Sequence, residues 1–417
     1  TTLNMAVVCS KADWFVTSCS TTLVAVNLKQ SREPFVFDCS KAEKKPKEAD
    51  VDNKSAGEGS EEKDSDSILA FAISASGKHV ALTDDHKRLV LFGTEPSWKC
   101  ISTRWVVRRC TSLAFTQAED ELYVADKSGD VYSFSILEPH KAGELKLGHL
   151  SMLLDVALSP DDKYIITADR DEKIRVSFRR SPYNIQAFCL GHTEFVSSLL
   201  VPAGHPDWLL SGSGDGTVNV WHYETGRRLH SVDMRKFGLD SENTEKRFAV
   251  SRIISSPDGQ HVAVQCEGFP SVQLFTVDCG TESLLKPADT LTLPLSPWDV
   301  TFDSENQLWV LLESEDMKVL LYRHSEQHWR LCDSESPELK KVTNALQTQW
   351  HLFKGSVGLE SQFKHLYKVN FDNMASYLQK KQERLDLENK KRAAAANGSK
   401  PNKKSKTESG PVPQSTS

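Results

Sequence analysis

The sequence predicts an all-β fold: a β-propeller of seven four-stranded blades, followed by a helical and then disordered, basic tail. Three observations predict it. The stretch 147–223 holds two copies of one pattern, LGHLSMLLDVALSPDDKYIITADRDEKIRVSF and LGHTEFVSSLLVPAGHPDWLLSGSGDGTVNVWHY, with Gly148-His149 answered by Gly191-His192 43 residues on. A period of about 40–45 residues marks one four-stranded blade per repeat. Short alternating apolar runs bounded by Gly, Asp, Ser and Pro recur on both sides of this stretch, as in an all-β protein. After about residue 370 the pattern changes to helical spacing and then to a lysine-rich segment.

The two copies assign roles to their residues. Asp171 aligns with Asp215, and Val176 with Val220. A Gly-His pair, an alternating strand, a small-residue strand ending in an Asp turn and a strand closing on Trp together resemble the WD repeat. The expected fold is therefore a seven-bladed WD-repeat β-propeller. The resemblance implies a hydrogen-bonded tetrad across the strands, filled here by His192, Ser211 or Ser213, Asp215 and Trp221. A buried carboxylate needs such partners, because an unpaired one costs several kcal/mol. His149 and His192 read as tetrad donors rather than catalysts or metal ligands. The run from Gly212 to Gly216 imitates a phosphate-binding loop, but it lacks the full glycine spacing and a following helix.

Composition narrows the class. No run of 18 apolar residues exists in the 417-residue chain, so no membrane span is expected. The N-terminus lacks a charged region followed by an apolar one, and secretion is not expected. Nine Cys are scattered without a C-x-x-C pair. Cys110, Cys189 and Cys266 sit in or beside strand-like runs and read as reduced packing residues, which suits a cytosolic or nuclear compartment.

Taken in order, residues 1–39 read as a degenerate first blade, with runs at Trp14 to Val16, Leu23 to Val26 and Phe35 to Phe37. Residues 40–66 carry nine acidic and six basic residues and almost nothing apolar, a composition that cannot offset ordering entropy. They read as a disordered charged loop. Residues 67–323 hold blades two to seven. Blade two places Asp85 in its turn, and blade three places Ser128 where a tetrad Asp is expected. Residues 324–370 are apolar enough to pack on the propeller. Residues 371–417 form a helix, striped by Phe371, Met374, Leu378 and Leu385, and a basic disordered tail.

Between Lys380 and Lys406 there are ten Lys or Arg against three Asp or Glu, while the whole chain carries −6. The body is therefore acidic and is no general polyanion binder. Nucleic-acid contact is assigned to the tail, at Lys380, Lys381, Lys390, Lys391 and Arg392, and the run from Pro401 to Lys406 resembles a nuclear-import signal. A solvated tail is the plain alternative. Elsewhere basic residues cluster at Arg104, Arg108 and Arg109, and at Arg170, Lys173, Arg175, Arg179 and Arg180. Arg170 precedes the blade-four turn. The positions taken to share its register are Lys127, Asp84 and Gly214, with Met152 and Phe195 on the inner strands. Such positions face the top of the ring, where a guanidinium can fork onto a carboxylate or phosphate. A local pair of Arg170 with Asp169 or Glu172 is the alternative.

The segments ADKSGDVYSFSILEPH, LGHLSMLLDVALSPDDKYIITADRDEKIRVS and CLGHTEFVS closely resemble the WD-repeat non-catalytic subunit of the tRNA guanine-N7 methyltransferase. The acidic loop, the run from Leu82 to Arg88 and the basic tail agree with it. What the resemblance implies is a partner, not an active site. A separate Rossmann-type subunit binds S-adenosylmethionine and methylates a variable-loop guanosine of tRNA. The WD-repeat subunit stabilises that partner and helps orient the tRNA in the nucleus. On this reading Arg170, Lys127, Met152, Phe195 and Lys173 bind the partner. The chain itself takes no cofactor and no metal. The residues agree: no G-x-G-x-x-G opens a helix after a strand, and no nucleophile–base pair stands out beyond the tetrads. A substrate receptor of a ubiquitin ligase, or a general nuclear scaffold, is the other class. It finds little support, since Trp221 is followed by His222 and Tyr223 rather than the Trp-Asp-x-Arg box of such receptors.

Overall fold

The second strand of each blade is buried on both faces, because each blade is sandwiched between two others. Trp208–Ser213 and Tyr164–Asp169 are buried throughout, as is Trp14–Cys19. Outer strands such as Ile185–Cys189 are largely exposed. The computed structural model describes residues 6–44, 65–237, 247–278, 280, 283–326, 328–358, 361–368 and 373–397. These form seven four-stranded antiparallel sheets, each built from consecutive strands. The blades span 7–38, 68–105, 110–148, 153–189, 196–233, 250–292 and 297–331. Apolar clusters lie between successive blades, as where Ala81, Leu89 and Leu91 of blade two meet Leu122, Val124 and Phe134 of blade three.

Two expectations shift. Blade one lacks the repeat motif but is a complete sheet, so its degeneracy is confined to its sequence. Blade seven runs past 323, because its outer strand is His328–Leu331, whose Trp329 packs into the core between blades six and seven. Most of the charged segment 40–66, and the run from Pro401 to Lys406, fall outside the described residues. Cys39–Lys41 forms a short 3-10 turn at the start of that segment.

In blades two to seven the innermost pairing skips one residue near the top: Leu69, Thr111, Leu154, Ser197, Ser251 and Trp298. Such bulges increase local twist and re-aim side chains at a rim. The residues that follow reach across blades. Asp155 accepts from Ser112 Oγ and from Leu199 N–H, both at 2.7 Å. Asp299 accepts from Val8 N–H at 2.8 Å and faces Arg252 Nε at 3.3 Å. Burial raises the pKa of both carboxyls, opposed at Asp155 mainly by its hydrogen bonds and at Asp299 mainly by Arg252.

Among the described residues no strand is shared between blades one and seven. Their seam is sealed by α1 (Pro337–Gln347) and α2 (Trp350–Lys354). Pro337 opens α1 at a position where its missing N–H costs nothing. Leu339, Val342 and Leu346 of α1, with Trp350 and Phe353 of α2, join Phe15, Val24, Trp298 and Trp309 in one buried cluster. Trp350 stacks on Phe353 at 4.8 Å and donates to Glu315 O at 3.1 Å.

The chain divides into two compact units, 1–367 and 368–417. The second contains α3 (Asn373–Asn397), with Met374, Tyr377, Leu378 and Leu385 exposed. Phe371 lies outside the described residues. No described helix is long and apolar enough to cross a membrane. Among the described residues every cysteine is a free thiol, and no cluster of His, Cys, Asp and Glu could hold a metal.

Candidate functional site

The tetrad of blade five is a continuous hydrogen-bond chain. Trp221 Nε1–H donates to Ser211 Oγ at 2.8 Å, and Ser211 O–H donates to His192 Nε2 at 2.7 Å. His192 Nδ1 then meets Asp215 Oδ2 at 3.0 Å. Ser213, the alternative to Ser211, instead donates to Glu194 O. Asp215 also accepts from Thr193 N–H, Thr217 N–H and the Thr217 hydroxyl. Burial by itself would raise this carboxyl, but the His192 hydrogen bond and charge, with the threonine donors, bring it down to about 2. Every member has its partner inside the blade, so the arrangement is structural.

Blade four uses a different carboxylate from the one expected. His149 Nδ1 lies 2.9 Å from Asp169 Oδ2 and His149 Nε2 lies 2.8 Å from Thr167 Oγ1, whereas Asp171 is exposed in the turn. The acid comes from the end of the second strand, a position that blade five fills with Ser213. The same strand-end position holds Asp84 in blade two and Asp126 in blade three. Each accepts the backbone N–H four residues on, from Arg88 and Asp130 respectively. So blade three has its turn carboxylate at Asp126, not at the Ser128 position. In blade two Asp84 is locked to buried Arg88, and His86, not Asp85, occupies the turn position.

The next residue along is the one that caps the ring. Its N–H bonds to the inner-strand carbonyl in six blades: Asp85 to Ser67, Lys127 to Arg109, Arg170 to Met152, Gly214 to Phe195, Glu267 to Ala249 and Glu313 to Ser296, at 2.9 to 3.1 Å. Arg170, Lys127 and Gly214 do share this register, as the sequence predicts. Asp84 does not; its place is taken by Asp85, one residue later. The rim is basic at blades three and four and acidic at blades six and seven. Beside Lys127 lies an open cleft of 360 Å³ lined by Lys87, Arg108, Arg109, Lys127 and Ser128.

The other expected partner-binding residues separate. Lys173 is exposed and reaches back to Asp171 O at 3.2 Å. Phe195 is 0% exposed, because Phe363 stacks on it at 5.4 Å and Tyr367 meets it edge-on at 5.0 Å. Met152 packs against the same cluster. The Phe195 ring is covered by the segment around Phe363 and Tyr367, whereas Met152 is only half-buried. Arg170 is half-buried and donates from Nε to Leu366 O at 3.2 Å. Of the tail residues, Lys380 and Lys381 are exposed on α3, and Lys390, Lys391 and Arg392 belong to the same helix.

Glu267, Glu313, Phe363 and Tyr367 are not picked out by sequence reasoning. Phe363, Leu366 and Tyr367 in FKHLYKVNF are an apolar signal, but nothing in the run says where on the ring it lands. Arg104 of the predicted basic cluster is not on the surface. It is buried against the Phe134 ring at 5.0 Å, donates to Ser135 O at 2.7 Å, and is lowered by burial to about 10.

Known proteins resemble this chain strongly. A family model described as the tRNA methyltransferase TRM82 WD40 domain matches residues 24–146 and 138–340. The chain is 99% identical over 413 residues to the tRNA (guanine-N(7)-)-methyltransferase non-catalytic subunit wdr4 of Danio rerio, covering 99% of this chain and 100% of that one. The corresponding subunit WDR4 of Homo sapiens is 48% identical over 347 residues, 83% of this chain and 82% of that protein. Among solved structures, one titled "Structure of U3-55K" superposes with a TM-score of 0.60 at 18% identity, over 76% of this chain and 90% of that one, and shares the fold. The repeat pattern, the closed seven-bladed ring and these relatives together place the chain in the family of WD40-repeat, non-catalytic subunits of the tRNA (guanine-N(7)-)-methyltransferase.

Proposed function

We propose that this chain binds and steadies the S-adenosylmethionine-dependent methyltransferase subunit and helps to position tRNA for N7-methylguanosine formation in the variable loop. The observation that carries the reading is the basic rim of blades three and four, where Lys127 and Arg170 occupy the top register beside the cleft of Lys87, Arg108 and Arg109. A partner that presents carboxylates there is steered and oriented by them. The relatives named as non-catalytic subunits of this methyltransferase support the assignment. The cofactor belongs to the partner, and this chain supplies a rigid docking surface. The exposed Lys380 and Lys381 of α3 support tRNA contact by the tail, through phosphates rather than bases. The basic run from Pro401 to Lys406 supports residence in the nucleus.

The test is reconstitution. The chain is titrated against the methyltransferase subunit by calorimetry, and methyl transfer to a tRNA transcript is followed with and without it. The expected result is a stoichiometric heterodimer, with methylation that depends on it and S-adenosylmethionine bound by the partner alone. No complex, or cofactor binding by this chain alone, overturns the reading.

A further inference from the structure

The outer strand of each blade is a sheet edge, and charged side chains on an edge discourage association. Among the described outer strands, only that of blade four, Ile185–Cys189, carries no Asp, Glu, Lys or Arg. Large apolar side chains stand out from it and its flanks instead: Tyr183 is 81% exposed, Ile185 43%, Phe188 41% and Leu190 62%. The turn that presents Tyr183 is held in place. Arg175 donates from Nη2 to Pro182 O at 3.0 Å, and Asn184 N–H donates to Ser181 O at 2.8 Å. Blade five continues the same face. Its turn closes on blade four at Gly226, which has φ 69° and where a Cβ would lie 2.2 Å from the Phe188 carbonyl oxygen. Gln186 Nε2–H donates across the joint to Glu224 O at 2.9 Å. The strand that follows brings exposed Arg227 and Arg228 to this joint, and Arg228 Nη1 would lie 3.1 Å from a Cβ added at Gly191, next to Leu190. Neither guanidinium has an ion-pair partner among the described residues, and Glu224 is already paired with Lys163 at 3.3 Å.

We propose that Tyr183, Ile185, Phe188, Leu190, Arg227 and Arg228 form a docking surface for a segment of a second partner protein, one that sets an apolar anchor among carboxylates. Aromatic residues and Arg are the side chains that protein interfaces gather, while Lys, Asp and Glu are depleted there. An exposed apolar patch with a polar border marks such a site. The charge selects the occupant: on an otherwise acidic body, two unpaired guanidinium groups border the patch, and each can fork onto a carboxylate. The surface is built from outer strands, not from the top register that carries Lys127, so it does not rest on the methyltransferase reading. The partner it fits is a protein other than the methyltransferase subunit, bound at the same time.

The experiment selects phage-displayed random peptides on the immobilised full-length chain. The strongest selected peptide, fluorescein-labelled, is then titrated against the unsubstituted chain, Tyr183→Ala, Arg227→Glu/Arg228→Glu, and the unsubstituted chain saturated with the methyltransferase subunit. The three substituted side chains are exposed, so melting temperatures should stay within the range of ordinary surface changes. Selection is expected to enrich Asp and Glu around a Leu, Phe or Trp. Tyr183→Ala should weaken the peptide about tenfold, the loss of one aromatic anchor. The charge reversal should weaken it by about tenfold as well and abolish the fall of affinity with added salt. Saturation with the methyltransferase subunit should change peptide affinity by less than about twofold. Selected peptides without acidic residues, or equal binding to both variants, would overturn the proposal. Displacement of the peptide by the methyltransferase subunit would assign the surface to that subunit and overturn it too. So would two further results: an oligouridine that binds here while no peptide does, or self-association of the chain that Tyr183→Ala abolishes.

Discussion

Removing the blade-five carboxylate by Asp215→Ala tests the tetrad most directly. The side chain accepts from His192 at 3.0 Å, Thr193 N–H at 3.0 Å, Thr217 N–H at 2.9 Å and the Thr217 hydroxyl at 2.7 Å. His192 is buried, so alanine strands its Nδ1–H and loosens the chain through Ser211 to Trp221. The carboxyl sits at about 2 against an ordinary 3.8. At 1.36 kcal/mol per unit, this charged carboxylate is worth about 2 kcal/mol, after a discount for its part exposure. The expected loss for Asp215→Ala at pH 7 is therefore about 2–3 kcal/mol, bounded by the usual cost of unsatisfied buried donors. The sign of the pH dependence follows from the depressed pKa. The unfolded state takes up the proton first, so the contribution is complete above about pH 4 and is lost as pH falls through about 2. Denaturant unfolding followed by tryptophan fluorescence measures it, with an unchanged m-value showing that stability alone has moved. Asp215→Asn removes the charge at constant volume, and its deficit should narrow as pH drops from 4 toward 2. A shift under about 0.5 kcal/mol for alanine, the range of an ordinary surface substitution, or an asparagine deficit that widens on acidification, would refute the reasoning.

Other outcomes are equally specific. Asp169→Ala should cost about 1–3 kcal/mol while Asp171→Ala costs under about 0.5, because only Asp169 meets His149; equal values would refute the strand-end assignment. Trp350→Ala should destabilise the fold by about 3–5 kcal/mol, since it empties the cluster that seals blade one against blade seven; a near-neutral melting curve would mean that the seam holds without the helices. Deleting 380–417 should leave the melting temperature unchanged and flatten the salt dependence of tRNA binding by the complex, one phosphate contact at a time. An identical salt slope would remove the tail from RNA contact.

The repeat pattern was sufficient for the fold class because each blade is a local unit. Its strands are consecutive, its turns are short, and its alternation reports which side faces a neighbouring blade. Residues 147–223 thus show blades four and five directly, and the spacing extends to the rest. The blade-five tetrad was legible for the same reason: His192, Ser211, Asp215 and Trp221 all lie within one repeat. Within the repeat the limits were matters of a residue or two. Turn spacing alone points to Asp171 where Asp169 acts, and to Asp84 where Asp85 stands. A turn's hydrogen bonds, not its letters, decide which carboxylate points inward.

What only the tertiary structure decided are the contacts between distant parts of the chain. Nothing in FKHLYKVNF states that Phe363 and Tyr367 close over Phe195, or that Glu267 and Glu313 wait for backbone amides far along the sequence. The sealing of blade one by α1 and α2 has the same character. Local pattern determines strands, because propensity and alternation act over a few residues. Which surface remains open to a partner depends on where the segment after blade seven comes to rest, and closing a ring brings together residues hundreds of positions apart.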